Sequence, residues 1–154
     1  MANGMEAVVL RPGESRGRFD RALKVGAADT GGAFALRVTD ALPPGRWIDE
    51  HIHQREEEAW YVISGVLTFR ISGISTEAPA GSFILVPRGT AHGFGNTGTG
   101  PAGYIERFSP AGMEGYFEER FALEQAPRTA NADYAGLDPA MHAALARKYH
   151  MRFV

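Results

Sequence analysis

Cysteine is absent from this 154-residue chain. That absence excludes a disulfide framework, thiolate metal sites, cysteine-held iron–sulfur centres and cysteine nucleophiles. Lysine is scarce, since Lys24 and Lys148 are the only lysines among 16 basic residues. Against 18 acidic residues the formal charge is −2, which gives no general pull toward nucleic acid or an anionic membrane. The arginines are scattered without interleaved aromatic platforms, which argues against a nucleic-acid surface. No run approaches the roughly 18 consecutive apolar residues of a membrane span. The opening residues MANGMEAVVLRPGES lack the basic start and apolar core of a signal peptide. The expectation is a cytoplasmic protein with neither membrane nor nucleic-acid partners. The glycine-rich run Gly26–Gly32 is followed by no Lys-Ser/Thr pair, so it is not a phosphate loop. A Gly-x-Ser-x-Gly nucleophile elbow is missing too.

What the chain does have is punctuation. Its 19 Gly and 9 Pro are spread along the length, which suits a fold with many turns. The length fits one domain, 1–154. Residues 1–32 read as an arm in which Ala7–Leu10 can form a short edge strand. From Phe34 onward, short segments rich in β-branched and aromatic residues are bounded by Gly or Pro: Phe34–Thr39, Ala59–Ser64, Leu67–Ile71, Ser82–Val86 and Gly103–Phe108. The pattern predicts an all-β antiparallel sandwich or barrel over about 33–110. The tail, 111–154, has helical spacing at 112–124, and Asp138-Pro139 is a cap-and-proline helix start leading to 149. Ala126–Tyr134 reads as a polar connection between the two helices.

The chemistry concentrates in two stretches. His51 and His53 are one residue apart, so in a strand both rings point to one face about 6.6 Å apart. Glu58 precedes an apolar strand in which Trp60, Val62 and Ser64 share its face. His92 follows the tight turn Pro87-Arg88-Gly89. Three imidazoles and one carboxylate suit a single divalent Fe, Mn, Ni, Co or Zn ion.

Gly45, His51, His53, Glu58 and Gly65, then Gly81, Pro87, Gly89, His92 and Asn96, carry a resemblance to the cupin superfamily. All ten motif positions match in order, with fifteen residues, Val66 to Ala80, between the two motifs. The proline pair before the histidines and the helix after Ser109–Gly112 also resemble the small quercetin-dioxygenase-like cupins. The resemblance covers about 33–110 and implies a double-stranded β-helix, or jelly roll, to which the patterning adds an N-terminal arm and two C-terminal helices. It implies one divalent ion held by His51, His53, Glu58 and His92, and a small-molecule substrate. The activity it implies first is a dioxygenase acting on an enol, enolate or aromatic substrate. A non-redox isomerase, cyclase, decarboxylase or lyase, and a non-catalytic binding cupin, remain alternatives. Glu58 can serve as ligand, as general base or as both. Homodimers are common in such groups, and the Ala7–Leu10 strand would be the augmenting edge.

Other residues keep two readings. Trp60 and Phe94 share parity with a ligand and either line the pocket or fill the core. Arg37, Tyr104 and Glu106 sit in otherwise apolar strands, either as candidate pocket residues or on an exposed sheet face. Phe69 and Phe83 read as core. Asn96 reads as holding the loop after His92. Glu50, Glu56 and Glu57 read as a solvated acidic rim or as partners of arginines. His142 and His150 read as surface residues.

Overall fold

The computed structural model describes residues 5–125 and 137–154. The expected Ala126–Tyr134 connection lies outside the described residues. In chain order the elements are β1 (Leu23–Val25), α1 (Ala27–Thr30), β2 (Ala35–Leu42), β3 (Trp47–His53), β4 (Glu57–Ser64), β5 (Val66–Ile71), β6 (Ile74–Pro79), β7 (Phe83–Val86), β8 (His92–Gly95), β9 (Ala102–Ser109), α2 (Met113–Gln125), α3 (Pro139–Lys148) and β10 (Met151–Phe153). The strands form two five-stranded sheets, ordered β1-β2-β9-β4-β7 and β10-β3-β8-β5-β6. Every strand pair is antiparallel. This is a jelly roll carrying two C-terminal helices.

Alternation along β4 shows why the sheets face each other. Glu58, Trp60 and Val62 are buried while Tyr61 and Ile63 are about half exposed. The inward residues join Leu67, Phe69, Val86, Phe94 and Tyr104 in the barrel core. A second apolar cluster at one end, Phe108, Met113, Tyr116, Leu145, Ala146 and Met151, seats α2 and α3. Gly65 turns β4 into β5 at φ 71°, and a Cβ there would lie 2.6 Å from the Pro101 carbonyl oxygen. Gly95 lets β8 run close beside β3, since a Cβ would stand 2.5 Å from the Arg46 carbonyl oxygen. Asn96 locks the loop that follows: its Nδ2 donates to the carbonyls of Leu42 and Gly100, each at 2.8 Å, and its Oδ1 accepts from Gly98 N–H at 2.9 Å.

Three sequence expectations are corrected. Ala7–Leu10 forms no strand in the chain, and the arm's strand is β1, paired with β2. The barrel is not confined to 33–110, because β1 extends one sheet from the arm and β10 extends the other from the tail. Phe83 is not core: it pairs with Tyr61 on the outer face and is 67 % exposed. Among the described residues no helix is long and apolar enough to cross a membrane.

Candidate metal centre

β3 and β8 are neighbours, and their register sets His51 opposite His92. Two residues along β3, His53 turns to the same inner face. Glu58 lies on β4 in the other sheet and reaches across the barrel toward all three rings. Its Oε2 stands 2.9 Å from His92 Nε2, 3.0 Å from His53 Nε2 and 3.9 Å from His51 Nε2. One ligand atom from each of the four residues falls within 4.8 Å of the others, and all four residues are buried. The rings have fixed backs. His51 Nδ1 lies 2.7 Å from the Asp49 carbonyl and His92 Nδ1 lies 2.9 Å from the Thr90 carbonyl, so both turn Nε2 inward.

The cluster fits a divalent cation. Among the described residues both ring nitrogens of His53 are buried without a hydrogen bond, because Nε2 is close to Glu58 but poorly aligned with it. Orphaned buried nitrogens are costly, and a cation removes that cost. The His₃Glu donor set suits one divalent ion. Without an ion, burial drives the imidazolium of His53 down, only partly offset by Glu58. Burial also opposes charge on His92, but its hydrogen bond to Glu58 and that carboxylate's charge raise it overall. Burial would raise Glu58, yet the three imidazoles that face its carboxylate, with His92 in hydrogen-bond contact, hold it well below the usual carboxylate range.

A cavity of about 210 Å³ opens onto this centre, with His51, His53 and Glu58 in its wall. Phe94, Tyr104, Arg37 and Glu106 also line it, and α2 and β10 roof it with Met113, Phe117, Phe121, Met151 and Phe153. Trp60 is not in that wall. Its ring packs behind the site, 5.7 Å from the ring of His92 and 5.1 Å from that of Phe69. Arg37 and Glu106 are buried, so the exposed-face reading of both is overturned. Arg37 Nε donates to Asp20 Oδ2 at 2.7 Å, its Nη1 donates to Glu106, and its guanidinium lies 3.6 Å over the Phe117 ring. Glu106 is opposite Trp60 across β4 and β9, which puts it beside Glu58 on the inner face. Burial and the charge of Glu58 push the Glu106 carboxyl up to about 8, against the opposing pull of Arg37. Burial and Glu106 likewise raise the Tyr104 hydroxyl.

Glu56 is buried as well, rather than part of a solvated rim, whereas Glu50 pairs with Arg70 at 3.0 Å. His150 is exposed, and half-buried His142 meets Tyr116 Oη at 2.6 Å. Sequence reasoning missed Asp20, which has no pattern around it, and the roof residues. The apolar stripe of α2 was the available signal for the roof.

A cupin-domain family model matches residues 38–106. Protein SchB of Streptomyces halstedii is 31% identical over 101 residues, which span 64% of this chain and 71% of that protein. The chain belongs to the cupin superfamily. Among solved structures this cupin is similar to a double-stranded β-helix protein from Klebsiella pneumoniae, at 25% identity and a TM-score of 0.52, over 68% of this chain and 84% of that one. It also shares the fold of a Bacillus halodurans protein at 21% identity and a TM-score of 0.50, over 53% of this chain and 65% of that one. These matches single out no cupin subgroup.

Proposed function

We propose that this cupin is a metal-dependent enzyme acting on a compact enolic or phenolic substrate, and that the reaction is a dioxygenation of the quercetin-dioxygenase-like kind. The observation that supports it is the pairing of two different carboxyls in one cavity. Glu58 belongs to the metal cluster, while Glu106 stands outside it, buried in the cavity wall beside Glu58. A binding barrel has no need of a buried proton-holding group next to its ion. The cavity is smaller than the ~300–1,000 Å³ of drug-sized sites, so the substrate is small. Its wall is mostly aromatic and aliphatic, which suits a flat, apolar molecule with one ionisable hydroxyl.

When bound, the ion supplies a Lewis-acidic centre and, if redox-active, electrons for dioxygen. The chain's own residues do the rest. Phe94, Phe117 and Phe153 hold the substrate's apolar body and exclude water. Glu58 accepts the hydroxyl proton, and Glu106 holds a proton at its buried carboxyl with Arg37 fixing its direction. The same two carboxyls also support a second reading, in which a proton moves between two substrate positions without oxygen, as in an isomerase or lyase. Screening enolic and phenolic compounds against iron-, manganese- and nickel-loaded protein with an oxygen electrode separates the two. Stoichiometric oxygen uptake supports dioxygenation, and turnover without uptake favours the second reading. Ligand binding that is unchanged by metal removal, with no turnover, overturns both.

Homodimer formation belongs to the same reading. Its support is an outward apolar row, Tyr61, Ile63, Phe83 and Leu85, on β4 and the edge strand β7. Unpaired among the described residues, such an edge is suited to antiparallel pairing with its own copy. Sedimentation as a 16.7 kDa monomer at micromolar concentration would overturn it.

A further inference from the structure

The three histidines of the cluster are not held alike. His51 and His92 each set Nδ1 against the backbone carbonyl two residues earlier, at 2.7 and 2.9 Å. Among the described residues His53 has no such carbonyl, and its Nδ1 is buried without a partner. The polar atom that faces it is Oε2 of Glu56, 3.9 Å away, and that oxygen is also buried and unpartnered among the described residues. Glu56 is only 2% exposed, and its nearest cation, Arg55, stays 3.9 Å from Oε1 with half of its own side chain in solvent. A buried ring nitrogen able to carry a proton and a buried carboxylate oxygen, both without a partner among the described residues, therefore face each other. Closing the gap to a hydrogen bond takes about 1 Å of side-chain movement.

We propose that Glu56 is a positioning residue of the metal centre: its carboxylate takes the Nδ1–H of His53 and so aims Nε2 of that ring at the ion. This rests on the metal-site reading but not on any particular reaction. The contact fixes the His53 tautomer and makes its Nε2 a better donor, which is the role outer carboxylates play toward metal-bound imidazoles. It also gives buried Glu56 the partner that a buried carboxylate needs. All three rings then bind through Nε2, two oriented by carbonyls and one by a carboxylate.

The test uses cobalt(II) on the full chain, with affinity read by chelator competition and the ligand field by visible absorption. Glu56→Ala is expected to weaken cobalt binding about 10–100-fold and to shift the cobalt bands. Glu56→Gln keeps an oxygen that can accept the Nδ1–H, so it is expected to fall between wild type and Glu56→Ala. If Glu56→Ala does not fold, proton NMR of zinc-loaded Glu56→Gln decides, because the His53 Nδ1–H resonance should move upfield while those of His51 and His92 stay. Wild-type affinity and bands in Glu56→Ala, or an unmoved His53 resonance in Glu56→Gln, overturn the proposal alone. Failure of the wild-type protein to bind cobalt or zinc overturns the metal site and this proposal together.

Discussion

Replacing Arg37 by methionine probes the buried charge network that backs the cavity. Arg37 lies between two carboxylates, Asp20 and Glu106, and all three residues are less than one-tenth exposed. Methionine keeps most of the stem volume, so the loss is electrostatic rather than a cavity effect. Removing one partner of a buried ion pair costs about 3–5 kcal/mol, because a charge is left uncompensated. The lower end applies here. Glu106, raised to about 8, takes a proton near neutral pH, so the orphaned charge is mainly that of Asp20. Losing the guanidinium over the Phe117 ring adds to the cost. The expected loss is about 3 kcal/mol in urea unfolding of the chelated protein, or about 6–12 °C in Tm for a chain of this size. Adding Asp20→Asn to Arg37→Met should recover most of that loss, since no charge is then stranded. A loss below about 1 kcal/mol for Arg37→Met would refute the reasoning. So would a double variant as unstable as the sum of its single substitutions.

Three further outcomes are expected. Glu58→Gln should keep part of the metal through the three histidines but lose turnover at least about 100-fold, the usual scale for a general base, and full activity in steady-state assays would remove that role. Metal affinity should rise with pH, because loading needs neutral imidazoles and His92 holds its proton above the ordinary value of 6.5; calorimetry in buffers of different ionisation enthalpy should detect proton release, and pH-independent binding would contradict it. Glu106→Gln should flatten the pH dependence of apo-protein stability. A carboxyl raised to about 8 binds its proton more tightly folded than unfolded, so its contribution is complete below pH 4.5 and fades as pH rises through 8. Thermal melts across that range check the sign, and a variant that loses stability with pH as steeply as wild type would contradict it.

The four cluster residues were legible because their signals are local: alternation pairs His51 with His53, and fixed turns place Glu58 and His92. What could not be read depends on distant partners or on undefined phase. All four residues of β7 are apolar, so period-2 alternation sets no phase there and the outward turn of Phe83 is invisible. Glu56 stands just before β4 begins, where strand parity no longer applies. Arg37 and Glu106 look like surface charges until Asp20, 17 residues upstream of Arg37, closes the network. The cavity roof needs β10 to bring the tail back beside His51 and His53, a pairing of segments about a hundred residues apart.

The central claim is that His51, His53, Glu58 and His92 hold one divalent ion. Metal content per chain, measured after anaerobic reconstitution and desalting of wild type, His51→Ala and His92→Ala, tests it most directly. One ion per wild-type chain is expected, and almost none in either variant, with both variants still cooperatively folded. A wild-type chain that retains no ion, or folded variants that retain a full one, would contradict it.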